Sequence, residues 1–144
     1  GLDLGGIEVL HAAQYLDRLL AEGRLAPLLS AATSATLLDG TYLGRTHGIF
    51  DPPRRVLGKL AGLDLREMTW TRELAYSAGE PGGVFQLLQP ELSRQVAARV
   101  LEEAAKTGAA VLATTCPATK TALAEVEQAS LEVLDVAEIL AQTL

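Results

Sequence analysis

Cysteine is almost absent from this sequence: one residue, Cys116, in 144. That excludes an internal disulfide framework and fits a reducing compartment. Aromatic residues are scarce too, at 4% of a chain that is 49% hydrophobic. A core must therefore be built from leucine, alanine and valine, a balance that suits helices packed on a small sheet. Positive charge is in deficit, with 12 Lys and Arg against 18 Asp and Glu and a formal net charge of −6. The arginines are scattered and form no basic stripe, so nothing here neutralises nucleic-acid phosphates in number. No apolar run reaches the roughly 18 to 20 residues that span a bilayer. No positively charged segment followed by an apolar stretch opens the chain, so no secretory signal is expected. With two histidines, one cysteine and no tight spacing, no metal site is expected either. One soluble, cytoplasmic domain is the expectation.

What is present alternates. Ile7–Leu10 is a short apolar run, followed by a helical stripe at Ala12, Ala13, Leu16, Leu19 and Leu20 that stops at Gly23. Ala35–Leu38 reads as a buried strand. Asp51-Pro52-Pro53 reads as a helix start, with Asp51 as cap and Val56, Leu57 and Leu60 as the apolar face. Leu63–Met68 alternates like a half-exposed strand, and Trp70–Gly83 reads as a loop. A long helix is expected from Pro90 to Thr107, with Leu92, Val96, Val100, Leu101 and Ala104 on one face. Ala110–Ala113 is a strand, Pro117 opens a helix, and Leu131–Leu134 is a last strand before a terminal helix. Strands alternating with helices predict an α/β fold, a small parallel sheet covered by helices. Ligands of such sheets gather at the carboxyl ends of the strands. The segments Asp39–Arg45 and Gly79–Gly83, and Cys116, all belong to that edge.

One internal echo stands out. Ile7-Glu8-Val9-Leu10-His11-Ala12-Ala13-Gln14-Tyr15-Leu16 resembles Leu131-Glu132-Val133-Leu134-Asp135-Val136-Ala137-Glu138-Ile139-Leu140. Two strand–helix units of one kind at both ends of a domain point to a tail left from a preceding repeat, over residues 1–20. The expected organisation is a single domain over 1–144, the second of a tandem pair or part of a larger protein. Any short strand before an amphipathic helix gives a similar pattern, and that plainer reading stays open.

The recognisable catalytic motifs are missing. Gly79–Gly83 lacks the G-x-G-x-x-G spacing, Pro81 removes an amide that would cradle phosphate, and no Walker lysine follows. Ser77 has no Gly-x-Ser-x-Gly context. Glu80 reads as a solvated loop carboxylate, and Glu102-Glu103 as a solvent-facing pair. Cys116, before Pro117 at a helix start, is either a thiol with a lowered pKa or a small buried residue. Arg45 either binds an anion or pairs with Asp39 or Asp51.

Three spaced motifs carry a family resemblance over roughly Ile7–Leu144. Asp39-Gly40-Thr41-Tyr42-Leu43-Gly44-Arg45, with Asp51-Pro52-Pro53-Arg54 after it, is similar to the Asp-Pro-Cys-His-Leu-Gly-Arg and Pro-Pro-Arg of the cysteine-rich CCG domain. Ser77–Phe85 is similar to that domain's Cys-Cys-Gly-x-Gly-Gly-Gly-x-Phe, and Cys116-Pro117-Ala118-Thr119 to its Cys-Pro-x-Cys. The domain occurs in iron–sulfur oxidoreductase subunits of the heterodisulfide reductase, glycolate oxidase, lactate utilisation and anaerobic glycerol-3-phosphate dehydrogenase types. The resemblance implies an α/β fold with cluster loops at Thr41, Ser77, Ala78, Gly79, Gly82, Gly83, Cys116 and Thr119.

The departures matter as much as the matches. Thr41, Ser77, Ala78 and Thr119 stand where the family has cysteine, and only Cys116 remains. Hydroxyls replace thiolates poorly and alanine offers no donor. No [4Fe-4S]-type cluster is expected in this chain alone, only with ligands completed by a partner. The leading expectation is a non-catalytic scaffold or subunit-interaction module of an iron–sulfur/flavin oxidoreductase, with its protein subunits as partners. That includes association with a membrane-bound complex. Two alternatives stay open: an electron-transfer subunit whose cluster is completed by another chain, and an anion or small-molecule binder using Tyr42 and Arg45.

Overall fold

A computed structural model of the chain describes residues 5–80, 83–126 and 131–144. Four parallel strands form one sheet in the order β2-β1-β3-β4, from β1 (Ser34–Leu37), β2 (Asp64–Leu65), β3 (Val111–Thr114) and β4 (Glu132–Asp135). Parallel neighbours need crossover connections, and helices supply them. The fold is α/β, as the alternation predicts.

The central strands β1 and β3 are largely buried on both faces, and they carry small apolar residues and uncharged threonines with no charged side chain. Side chains alternate between two cores. Ala35, Leu37, Val111 and Ala113 meet Val56 and Leu57 of α2 (Asp51–Gly58) and Val136, Ile139 and Leu140 of α6 (Val136–Ala141). Leu16 and Leu20 of α1 (Ala12–Ala21) pack on that side. Leu38 and Leu112 meet Ala97, Val100, Leu101 and Ala104 of α4 (Pro90–Ala105) and Leu123 of α5 (Pro117–Ala124). Small side chains on α4 let it lie close to the sheet, so a core poor in aromatics still closes.

Several local expectations are corrected. Asp51 is the first residue of α2 rather than its cap: Phe50 holds the cap position, and Arg72 engages the Asp51 carboxylate at 2.8 Å. Leu92 is 46% exposed, because the buried stripe of α4 starts at Ser93, whose hydroxyl donates to the Gly79 carbonyl at 2.8 Å. Glu103 is buried rather than solvent-facing, with Lys106 donating to it at 2.6 Å. The strand expected over Leu63–Met68 shrinks to β2: after the Arg66 amide donates to Ala35, Glu67 turns out of the sheet toward Arg54. The Trp70–Gly83 loop contains one tight helical turn, Arg72–Leu74, and a short helix α3 (Val84–Leu88) follows it. Ile7–Leu10 takes part in none of the four-stranded sheet's pairings.

The carboxyl edge is braced by one buried ion-pair network. Asp39, two residues past β1, accepts from both terminal nitrogens of Arg54 on α2 at 2.7 and 2.8 Å and from the Arg72 amide at 2.7 Å. Arg54 also donates to both Glu67 oxygens at 2.6 and 2.9 Å, to the Phe50 carbonyl and to the Thr71 hydroxyl. Both partners of the central pair are nearly sealed from water, with side chains 4% and 10% exposed. Burial raises the Asp39 carboxyl, but the Arg54 bonds and the Arg72 amide outweigh it and hold the pKa below its ordinary value. Glu67 is shifted the same way, against its own burial, by Arg54 and Thr71.

Removing one partner leaves the other buried and underpaired, so Asp39→Ala should cost about 3 kcal/mol in urea denaturation. Both carboxyl pKa values are lowered by folding, from 3.8 for Asp39 and 4.5 for Glu67. Their stabilisation is therefore complete above those values and is lost as pH falls through the depressed folded ones. Thermal melting between pH 6 and 2 should show Tm falling from below 4.5, less steeply in Asp39→Asn.

Candidate functional site

The three loops singled out in the sequence meet at the carboxyl edge of the sheet. A Cβ built on Gly40 would stand 3.3 Å from the Thr115 hydroxyl, so the turn after β1 touches the turn after β3. Thr119 on α5 donates to Glu80 Oε1 at 2.8 Å, which ties the glycine loop to the Cys116 helix. Arg45 donates to the Ala75 carbonyl, tying the first loop to the segment before the second. The ion pair expected of Arg45 is not formed: Arg54 holds Asp39 and Arg72 holds Asp51.

Each candidate residue has a definite place. Thr41 is half-buried and opens a wide helical turn, Thr41–Thr46, of the π type that recurs at functional sites. Tyr42 is 71% exposed, stands edge-on to His47 at 4.7 Å, and lines a cleft of about 470 Å³ with Val9, Leu10 and Ile49. Ser77 is half-buried and its hydroxyl accepts from the Gly79 amide at 3.3 Å. Ala78 lies in the core beneath α4. Gly79 has φ +83°, and a Cβ there would sit 2.6 Å from the Ser93 carbonyl oxygen, so neither the conformation nor the space admits a side chain. Gly83, with φ +74°, leads into α3, while Gly82 lies outside the described residues. Cys116 is the half-buried cap residue of α5, and its amide donates to the Thr114 hydroxyl at 3.3 Å. Thr119 is buried.

Glu80 is the residue the sequence reading misplaced. It is 6% exposed rather than solvated, and its Oε2 has no hydrogen-bond partner among the described residues. A carboxylate next to glycines gives no periodic signal of burial, and its partner Thr119 lies 39 residues away. The one compositional hint is Thr119, a hydroxyl donor at the start of the helix that faces this loop.

The donor set does not fit an iron–sulfur cluster. Such clusters are held by several thiolates, and this edge offers one thiol, hydroxyls at Thr41, Ser77 and Thr119, a methyl at Ala78, and a carboxylate already bonded to Thr119. Among the described residues, no group of three histidine, cysteine or acidic side chains is placed to hold a metal ion. No helix among them is long and apolar enough to cross a membrane.

Comparison with known proteins gives this edge its context. No protein-family model matches the chain. It is 34% identical, over 95% of its length, to a subunit of the dihydromethanophenazine:CoB–CoM heterodisulfide reductase of Methanosarcina acetivorans. It is 32% identical, again over 95%, to the probable iron–sulfur-binding oxidoreductase FadF of Bacillus subtilis. An EtfAB:quinone oxidoreductase of Syntrophomonas wolfei is 38% identical over 55% of the chain. Nearly the whole chain is thus similar to proteins named as oxidoreductases or subunits of them. It spans only part of each, 34% of the reductase subunit, 20% of FadF and 11% of the quinone oxidoreductase.

Thr119→Val removes the one donor to a buried carboxylate and should cost about 2 kcal/mol in chemical denaturation. Adding Glu80→Met removes the stranded acid as well, and the double variant should recover most of that loss. Simple additivity of the two substitutions would show that the pair does not interact.

Proposed function

We propose that the chain is a cluster-free CCG-type unit of an iron–sulfur oxidoreductase subunit, working as a scaffold and subunit-interaction module of a larger electron-transfer assembly. The observation that carries this reading is the Glu80–Thr119 bond. Where three loops meet, the contact between the second and third is a carboxylate–hydroxyl hydrogen bond, with Thr119 at a position where the family has a thiolate ligand. The similarity to the heterodisulfide reductase subunit and to FadF supports a place within an oxidoreductase assembly. The chain is not catalytic alone in this reading, and the assembly's substrate lies with other parts of it.

An apolar surface supports the interaction role. Val84, Leu87 and Leu88 of α3 and Leu92 at the start of α4 are 60%, 82%, 71% and 46% exposed, immediately after the glycine loop. Neighbouring exposed leucines in one short segment mark a contact surface far more often than isolated ones do. The anion-binding alternative is less well supported. Arg45 is engaged with a backbone carbonyl, and Tyr42 opens onto a cleft that Arg45 does not line.

Anaerobic reconstitution with iron and sulfide tests the reading. The folded protein should stay colourless, retain no stoichiometric iron or acid-labile sulfide, and behave identically as Cys116→Ser. A brown protein that loses its colour in Cys116→Ser would instead establish a cluster completed by further ligands, and the chain would be an electron carrier.

A further inference from the structure

Helices α1 and α6 open with the same reciprocal cap, built on different acceptors. At α6 the Asp135 carboxylate accepts from the Ala137 amide at 2.8 Å, and Glu138 accepts from the Asp135 amide at 2.7 Å. At α1 the acceptor is an imidazole. His11 Nδ1 accepts from the Ala13 amide at 3.1 Å, and Gln14 Oε1 accepts from the His11 amide at 3.0 Å. The side chains that ordinarily cap a helix are those of Ser, Thr, Asp and Asn, and the choice of histidine has a chemical consequence. A ring nitrogen accepts a hydrogen bond only while it carries no proton, so this cap requires the neutral tautomer with its proton on Nε2. An imidazolium donates from both nitrogens and cannot cap, and its charge would also sit at the positive end of the α1 dipole.

His11 stands between two clefts. It is half-buried, with extended backbone at φ −69° and ψ 149°. One cleft, of about 240 Å³, runs from His11 to Thr115, Pro117 and Asp135. The other is the cleft of about 470 Å³ that Tyr42, His47 and Ile49 also line. The titratable groups facing the ring are therefore Asp135 across the first cleft and Tyr42 and His47 across the second. Asp135 favours a proton on the ring, and His47 opposes it when itself charged. The other charges nearby are already paired: Glu8 with Arg18 on its own segment, Arg55 of α2 with Asp17, and Lys120 of α5 with Glu138.

We infer that His11 is a proton-sensitive latch on the entry to α1, closed while the ring is neutral and open when it is protonated. The closed form binds one proton fewer than the open form, so it is favoured as pH rises and lost as pH falls. Imidazoles take up a proton between about pH 8 and pH 5, where carboxyl groups ordinarily do not change charge, so the α6 cap is the built-in reference. When the latch opens, Glu8 still accepts two bonds from Arg18 at 2.8 Å, which keeps the segment before His11 tethered to α1. Tyr42 and Thr115 belong to turns of the candidate site, so a proton taken up at His11 alters the walls of clefts that reach both. The inference is independent of the scaffold reading and of whether any cluster binds.

NMR of the ring nitrogens and backbone amides of the whole chain tests it. At about pH 8 the His11 ring should be the Nε2–H tautomer, and finding Nδ1–H instead would overturn the inference. Between about pH 8 and pH 5, protection of the Ala13 amide, corrected for the intrinsic exchange rate at each pH, should fall about five-fold, the ordinary worth of a cap residue. The Ala137 amide should keep its protection; an equal loss there would overturn the inference as general loosening. His11→Asp supplies a carboxylate acceptor and should make the Ala13 amide as indifferent to pH as Ala137, with His11→Asn in its place where the aspartate variant does not fold. A fall of the same size in the variant would assign the response to another group and overturn the latch, as would flat protection in the wild-type chain. Iron content, which tests the scaffold reading, does not enter the measurement.

Discussion

The Asp39–Arg54 pair holds the functional edge in place. A parallel sheet leaves its carboxyl edge as a row of turns with little intrinsic order, and the turns must be fixed by something other than strand pairing. Here one guanidinium on α2 reaches the turn after β1 through Asp39, the exit of β2 through Glu67 and the following segment through Thr71. Burying two charges carries a desolvation penalty, and such a pair is stabilising only when its remaining donors and acceptors are bonded. This one meets the condition, since Asp39 also takes the Arg72 amide and Arg54 also finds the Phe50 carbonyl. Arg45 and the Gly40–Thr115 approach then operate on turns that are already located.

Glu80 shows the opposite case. It is as buried as Asp39, yet one of its oxygens has a single hydroxyl donor and the other has none among the described residues. An underpaired buried carboxylate costs free energy that a thiol or an apolar side chain would not. The fold accommodates it because Gly79 sets the loop's path, pressed against Ser93 on α4 where no side chain fits. The loop is therefore held by its backbone path against α4, by the Ser93 bond to Gly79 and by the single bond from Thr119 to Glu80.

Sequence and structure agree where the signal is local. Ala35–Leu37 and Val111–Ala113 are legible as strands because burial on both faces leaves them short, largely apolar runs broken only by Thr36, and Pro90 and Pro117 mark helix starts because proline fits the first turn. The convergence of Asp39–Arg45, the glycine loop and Cys116 was legible from the rule that parallel sheets present their turns on one edge. What was not legible depends on distant partners. Arg54 lies 15 residues from Asp39 and captures it ahead of Arg45, and the same arginine draws Glu67 out of the strand its alternation suggested. Leu92 fits the helical period but falls off the buried face, because a serine hydroxyl bonded to Gly79 sets the rotation of α4. Side-chain period fixes spacing along a helix; only tertiary contacts fix which way the helix is turned.

These two modes of control bear on function. A fold transmits chemistry to a relative only through the residues at its site, and similarity along the chain by itself transmits shape. In this chain the parts that set shape are intact: the buried pair, the left-handed glycine, the caps and the close approach of the turns. The residues gathered at this edge, one thiol, three hydroxyls and a methyl, are as a set poor ligands for a cluster. The proposed scaffold role rests on surface, and the exposed apolar surface is unevenly distributed. The exposed leucines of α3 sit beside the loop junction on the α4 side, while the exposed Ile7–Val9 segment leaves from α1 on the other core. The two exposed apolar segments are thus anchored on opposite faces of one sheet, so a partner seated on one would not occlude the other.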